Sequence, residues 1–247
     1  ASPGGPTTAQ RCPDPEPSPA DEGTADADTS YFALPGLSHG LIQSPVNIIT
    51  AQAEHETHKI ELHVGQRGAR SIENKGHTIE LGFASGSDFE FDGRHYEPVQ
   101  LHFHTPSEHQ IDGVRYPMEM HMVSMQPPPS KDAPPQCLVL GALFKMGEPN
   151  PFIESFLSKV PEEAGQEVET DPVYVSTLFG SETVPETLPS YYSYRGSLTT
   201  PPYTETVQWV VFSQIFEASP EQIEKIHALE GDNARQVQPL FGREVDG

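Results

Sequence analysis

The sequence predicts a mainly β, α+β domain in which short helices lie around a mainly antiparallel or mixed sheet. Three observations carry this prediction. Apolar–polar alternation of period two, the signature of a half-buried strand, recurs at residues 59–64, 78–83 and 88–91. Asp-Gly pairs at 92–93 and 112–113 follow or separate alternating runs and have the chemistry of tight turns. Helical signals are confined to two short stretches.

Taken in order, residues 1–30 hold six Pro, six acidic residues and one Arg, with almost no bulky apolar side chains. Such a segment cannot bury enough surface to offset its ordering entropy, so a disordered acidic tail is expected. A single domain is then expected over residues 31–247. After the alternating runs, Asp92-Gly93 hands the chain to residues 96–102. Residues 118–123 (MEMHMV) alternate again. Residues 137–145 are nearly continuously apolar and read as a central strand buried on both faces, as do residues 207–212. Asn150 to Leu157, with Pro149 before it and Pro151 in its first turn, reads as a short helix. Ser219-Pro220-Glu221-Gln222 starts a second one, running to Leu229. Ser219 is its N-cap, Pro220 occupies the first turn and Gln222 completes a capping box.

The chemistry concentrates in Gln100-Leu101-His102-Phe103-His104 and Glu119-Met120-His121. Successive side chains on a strand point to opposite faces, so His102 and His104 share one face while Phe103 leaves it. On the second run Glu119, His121 and Val123 share a side, and Met118, Met120 and Met122 take the other. If the two strands pair, three imidazoles converge on one point. Three neutral His ligands with an open fourth position make a catalytic zinc arrangement rather than a closed structural one. Gln100 and Glu119 lie two residues from a ligand on the ligand's own face, placed to accept from its second ring nitrogen and fix its tautomer. A lone His-x-His on a strand is more often just a polar face; the third His with its neighbouring carboxylate and amide reverses that reading.

Residues 100–123, QLHFHTPSEHQIDGVRYPMEMHMV, closely resemble the zinc-binding segment of the α-class carbonic anhydrases. Gln43-Ser-Pro-Val-Asn-Ile48, Asn74-Lys-Gly-His77, Gly196-Ser-Leu-Thr-Thr-Pro-Pro202 with Trp209, and Asn233-Ala-Arg-Gln-Val-Gln-Pro-Leu240 match in the family's order, covering roughly residues 40–243. The resemblance implies a large, twisted, roughly ten-stranded central sheet and reversible hydration of carbon dioxide to bicarbonate by zinc hydroxide. Zinc would be held by His102, His104 and His121. Thr199 would accept the hydroxide's hydrogen bond and donate its own to Glu108, orienting the attack. Val123, Val139, Leu198 and Trp209 would form the apolar side of the pocket, with Thr200 on the same wall. Val123 faces the ligand side by spacing alone, whereas ordinary core packing would equally explain Val139 and Trp209. His77 matches the proton-shuttle position, suited by an ordinary imidazole pKa of about 6.5. Glu80, where many relatives carry a neutral amide, is expected to raise the His77 pKa or trap its proton. Asn233 would support His104 through its backbone carbonyl, and His109 would have a structural role. His39, His55, His58, His63, His95 and His227 have no metal-like context. Sulfonamide-type and anion inhibitors are expected, and a side esterase activity is compatible with the same hydroxide. The alternative is a catalytically silent binding or scaffold relative, whose usual mark is loss of a ligand His; none is lost. The family contains dimers, but no face of this sequence declares a homodimer.

Composition bounds the rest. No apolar run approaches the roughly 20 residues of a membrane helix. The chain begins without Met and without a signal peptide, as a mature or trimmed product would, and with the family resemblance this favours a secreted, periplasmic or otherwise extracytoplasmic location. Tyr203 stands where many secreted relatives have one half of a disulfide, and residues 35–42 contain no Cys, so that bridge is absent. Cys137 reads as a small buried hydrophobe; Cys12 lies in the tail, free or intermolecular. The net charge of -22, from 36 acidic against 14 basic residues, disfavours nucleic acid and anionic membranes as partners. It fits either a well-solvated surface or adaptation to high salt, where dense carboxylates hold hydration. A series of unfolding and activity measurements at rising salt separates the two: adaptation requires both to be maintained or to increase, and a fall excludes it.

Overall fold

The computed structural model describes residues 40–53, 60–61, 68–84, 89–126, 135–180 and 189–247. The expected tail lies outside them, as do Cys12, residues 59, 62–64 and 88 of two expected strands, and His39, His55, His58 and His63. The first eight strands are β1 (Asn47–Ile48), β2 (Ile60–Glu61), β3 (Ala69–Asn74), β4 (Ile79–Phe83), β5 (Phe89–Phe91), β6 (Arg94–His104), β7 (Gln110–Ile111) and β8 (Val114–Arg115). There follow β9 (Met118–Gln126), β10 (Gln136–Met146), β11 (Gln166–Val173), β12 (Tyr191–Gly196), β13 (Val207–Phe212) and β14 (Phe216–Ala218). Two α-helices, α1 (Pro151–Leu157) and α2 (Pro220–Glu230), and two short 3-10 helices, Thr50–Gln52 and Val175–Phe179, complete the described elements.

Eleven of these strands form one sheet whose main path runs β11-β3-β4-β6-β9-β10-β13-β12. It is mixed, because β10 pairs parallel to β13 and β14 while its other neighbour, β9, is antiparallel. This is the sheet the resemblance implied. The register places His102 opposite His121 and His104 opposite Glu119, so the two histidine-bearing strands are direct antiparallel neighbours.

Alternation sends the two faces of the central strands into different cores. Leu101, Phe103, Met118, Met120, Met122, Leu138 and Leu140 pack with Phe152 and Phe156 of α1 and Ile223 and Ile226 of α2. On the opposite face Val123, Cys137, Val139, Tyr194 and Trp209 form a second apolar cluster beside the histidines. Cys137 is buried within this second cluster, as a small hydrophobe would be.

The structure also departs from the sequence reading. Asp112-Gly113 does not itself join β6 to β9; it is the tip of a small hairpin, β7–β8, in a separate three-stranded sheet with β1. Its φ values of 50° and 77° explain the Asp-Gly choice, since both central positions of such a turn are left-handed. Strands β3, β11 and β12 had no sequence prediction. β11 (QEVETDPV) is exposed along almost its whole length and shows no alternation; its pairing with β3 rather than an apolar face defines it.

Both helix starts follow their local chemistry. Asn150 caps α1 by accepting from the Phe152 amide at 3.0 Å. Ser219 Oγ accepts from the Gln222 amide and Gln222 Oε1 accepts from the Ser219 amide, each at 3.2 Å. Ser219→Ala is expected to lower the unfolding free energy by about 1 kcal/mol in chemical denaturation, the usual cost of losing such a cap, with the metal site unaffected.

Candidate metal centre

His102 and His104 end β6, and His121 lies in the middle of β9; all three are buried. Each has one ring nitrogen engaged by an oxygen. Gln100 Oε1 lies 2.8 Å from His102 Nδ1, the Asn233 carbonyl oxygen 3.4 Å from His104 Nδ1, and Glu119 Oε1 2.8 Å from His121 Nε2. Amide, carbonyl and carboxylate oxygens accept, so each of these nitrogens carries the proton and the other presents a lone pair. The lone pairs belong to His102 Nε2, His104 Nε2 and His121 Nδ1.

These three residues offer ligand atoms that lie within 4.8 Å of one another. His102 Nε2 and His104 Nε2 are 3.1 Å apart. With both Nδ1 atoms protonated, that approach puts two lone pairs face to face, which is unfavourable without a cation. Donors sharing one tetrahedral zinc at about 2.0–2.1 Å would stand roughly 3.3 Å apart, close to this spacing. Burial, then the neighbouring His104 and His121, holds the His102 imidazole well below its ordinary pKa. Burial also lowers that of His104 against the pull of Glu108. Both are therefore neutral at pH 7, the form that ligates metal. The donor set fits zinc.

Glu119 is the anchor of the cluster. Its Oε2 accepts from the Glu108 and His109 amides at 2.9 and 2.8 Å, and its Oε1 from His109 Nδ1 at 2.7 Å as well as from His121. Burial alone would push its carboxyl up; the hydrogen bonds it accepts from His109 and His121 instead hold it well below the carboxylate range. Tyr194 donates its hydroxyl to His109 Nε2 at 2.6 Å and shares a second hydrogen bond with Ser44 Oγ at 3.0 Å. The sequence reading gave His109 its structural role but missed Tyr194 and Ser44. Ser44 lies within the Gln-Ser-Pro motif, whereas nothing in the run YYSYRG singles out Tyr194.

Glu108 is buried with its two oxygens differently occupied. Oε1 accepts the Arg235 amide at 2.8 Å. Oε2 has no hydrogen-bond partner and stands 3.6 Å from His104 Nε2 and 3.8 Å from His121 Nδ1. Thr199, expected as its donor, is buried in the turn before β13 but makes no hydrogen bond to either oxygen. An orphaned buried carboxylate oxygen beside two of the three lone pairs is a second mark of a site suited to a cation.

Val123, Val139 and Trp209 are register partners across β9, β10 and β13, forming one continuous row. Leu198 packs against the same cluster, Thr200 is half-buried, and the Trp209 ring lies 4.8 Å from that of His121. His77 is half-buried at the turn between β3 and β4. Asn233 does more than its carbonyl suggested. Its Nδ2 donates to the carbonyls of His77 and Phe103, and its Oδ1 accepts from the Thr105 amide, linking the β3–β4 turn to the ligand strand. Glu80 sits opposite His102 in register, and its Oε2 lies 3.5 Å from Lys75 Nζ. The ion pair with Lys75 supplies a partner that the expectation of Glu80 acting on His77 did not include.

A mixed sheet thus carries three convergent histidines, able to hold a metal ion, beside an apolar wall. Residues 33–246 match the family described as eukaryotic-type carbonic anhydrase. The carbonic anhydrase of Pectobacterium atrosepticum is 35% identical over 208 residues, covering 83% of this chain and 79% of its own. That of Neisseria gonorrhoeae is 38% identical over 210 residues, covering 84% and 78%. The α-carbonic anhydrase of Thermovibrio ammonificans, solved with the inhibitor sulfanilamide, superposes with a TM-score of 0.74 at 37% identity, covering 84% of this chain and 88% of its own. The chain belongs to the eukaryotic-type, or α-class, carbonic anhydrase family, and its activity is that of a carbonic anhydrase.

One buried acid nearby governs stability rather than chemistry. Burial pushes the Glu230 carboxyl at the end of α2 well above its ordinary range, although the Ile79 backbone, Thr105 and Asn233 pull it down. A raised folded pKa contributes stability that is complete below the unfolded value of about 4.3 and is lost as pH rises through the folded value. Glu230→Gln should therefore gain stability relative to the native chain between pH 4 and pH 8, read from denaturant unfolding at each pH.

Proposed function

We propose that this chain interconverts carbon dioxide and bicarbonate with zinc held by His102 Nε2, His104 Nε2 and His121 Nδ1. The observation that carries the reading is the convergence of three buried lone-pair nitrogens, each fixed by an acceptor on the opposite side of its ring. Zinc bound there lowers the pKa of a water ligand from about 15.7 to about 7, supplying a nucleophile at neutral pH.

The protein's own residues do the rest. Gln100, Glu119 and the Asn233 carbonyl hold the imidazoles in the ligating tautomer, and Glu119 raises the basicity of His121. The Glu108 oxygen left without a partner would accept a hydrogen bond from the Thr199 hydroxyl. Thr199 Oγ1 is then left only as an acceptor toward the nucleophile, which fixes the direction of its remaining lone pairs. Val123, Val139, Leu198 and Trp209 exclude water from the place where an apolar carbon dioxide rests before attack, with Thr200 on the adjoining wall. His77, half-buried at the rim and tied through its backbone to Asn233, carries the released proton to buffer. Sulfonamides and small anions are the inhibitors expected from the family, and the extracytoplasmic location follows the family reading.

Stopped-flow hydration of carbon dioxide on zinc-loaded protein tests this. The native chain should turn over rapidly, and His121→Ala should abolish turnover together with stoichiometric zinc retention. His77→Ala should lower kcat about tenfold or more in weak buffer and regain it with added imidazole, because general acid–base transfer contributes factors of this size. Tight zinc binding without hydration in the native chain would contradict the proposal.

A further inference from the structure

Among the described residues, four non-glycine positions have positive φ. Asp92 and Asp112 lead Asp-Gly turns, where that conformation is expected. Phe241, at φ 49°, is an exposed aromatic beside Gly242; Tyr203 lies within the loops of the site itself. It is a bulky aromatic at φ 58°, closing the turn that carries Thr199 and Thr200, where glycine or asparagine would be less strained. Such a conformation persists only when its surroundings over-determine it.

The surroundings do so from three sides. The Tyr203 amide donates to the Thr200 carbonyl at 2.8 Å, and its carbonyl accepts from Gln43 Nε2 at 3.2 Å. Its ring carries the Arg235 guanidinium, whose central carbon lies 3.8 Å from the ring centroid. Arg235 in turn donates its backbone N–H to Glu108 Oε1 at 2.8 Å, and its Nη1 to Gln43 Oε1 and the Ser44 carbonyl at 2.9 and 2.7 Å. Gln43 Nε2 and the Ile42 amide both donate to Glu205 Oε1 at 2.9 Å. One residue therefore holds Glu108 through its backbone and the Thr199 turn through its side chain.

We propose that Tyr203 and Arg235 are positioning residues for the hydration reaction, a stacked cation–aromatic tie that sets the Thr199 turn against the Glu108 carboxylate. The inference rests on the reading of Thr199 and Glu108 given above. The left-handed tyrosine aims the ring at Arg235; a residue that relaxes the turn loses the stack. The tie acts on alignment, so it bears on kcat more than on substrate capture, and small misplacements of reacting groups are costly in rate.

The test compares Tyr203→Phe, Tyr203→Gly, Arg235→Lys and the double variant Tyr203→Gly/Arg235→Lys on zinc-loaded full-length chain. Three quantities are read: kcat and KM, the unfolding midpoint, and the emission of Trp209. Trp209 is the sole tryptophan, and its Nε1 donates to the Ser197 carbonyl at the base of the same turn. Tyr203→Gly should lower kcat about tenfold with KM nearly unchanged, shift Trp209 emission, and leave the midpoint no lower, since glycine relieves the φ strain. Tyr203→Phe keeps the ring and should restore kcat and emission. Arg235→Lys keeps the charge but loses the planar stack; the double variant should be no worse than the poorer single variant, as expected for one shared interaction. Native kcat and emission in Tyr203→Gly would overturn the tie. So would a loss of kcat that merely tracks a lowered midpoint and lost zinc. If the native chain itself fails to hydrate carbon dioxide, it is the functional reading that falls. Trp209 emission then decides the tie alone: a shift in Tyr203→Gly but not in Tyr203→Phe upholds it, and no shift refutes it.

Discussion

The carboxylate of Glu119 is fully buried in the middle of a β-sheet and accepts four hydrogen bonds, from two backbone amides and two imidazoles. An isolated carboxylate at such depth would be prohibitively costly, and only charge-assisted bonds to every side of it make the arrangement stable. That requirement dictates much of the surrounding architecture. The amides of Glu108 and His109 must turn inward, which brings the Glu108 side chain to the histidines. His109 must direct Nδ1 at Glu119, which leaves Nε2 for the Tyr194 hydroxyl and so engages β12 and the Ser44 segment. His121 must spend Nε2 on the same carboxylate, which leaves the Nδ1 lone pair facing His102 and His104. Even the neighbouring strand conforms, since a Cβ at Gly141 would stand 3.1 Å from Glu119 Oε1.

The sheet separates stability from chemistry by its pleat. One face of β6 and β9 buries Leu101, Phe103 and three methionines beneath α1 and α2, and the other presents the ligands. Because both faces are read from the same alternation, a register slip of one residue would exchange core and site completely. The pairing of His102 with His121 is thus fixed by hydrophobic burial on the far side as much as by any polar contact. Rigidity follows, and with it the precise convergence that a metal centre requires.

Around this rigid centre the remaining site parts come from segments far apart in the chain. Asn233 joins the His77 turn to the ligand strand, and Arg235 joins Glu108 to Gln43, Ser44 and Tyr203. These are side chain-to-backbone ties, which hold irregular loops where no ladder can. Two of the family's motifs, Gln43-Ser-Pro and Asn233-Ala-Arg, thereby act as braces for the loops that carry Thr199 and His77. Around Tyr203, the Gln43, Glu205 and Arg235 contacts tie the Gln-Ser-Pro segment to the Thr199 loop.

The sequence by itself determined the strand periods, both helix starts, the face shared by His102 and His104, and the side of β9 on which Glu119, His121 and Val123 lie. These are local consequences of period-two geometry and capping chemistry, readable within a few residues. Motif resemblance extended this to Glu108, Asn233 and Thr199. Only the tertiary structure decided that β11 and β12 are strands, since their pairing comes from neighbours distant in sequence. It alone gave Glu119 its four donors, assigned the free nitrogen of each histidine, left Glu108 Oε2 aimed at the ligands, paired Glu80 with Lys75, and set Tyr203 beneath Arg235. Each of those depends on which groups a long-range register brings within hydrogen-bonding distance, and no local pattern encodes that.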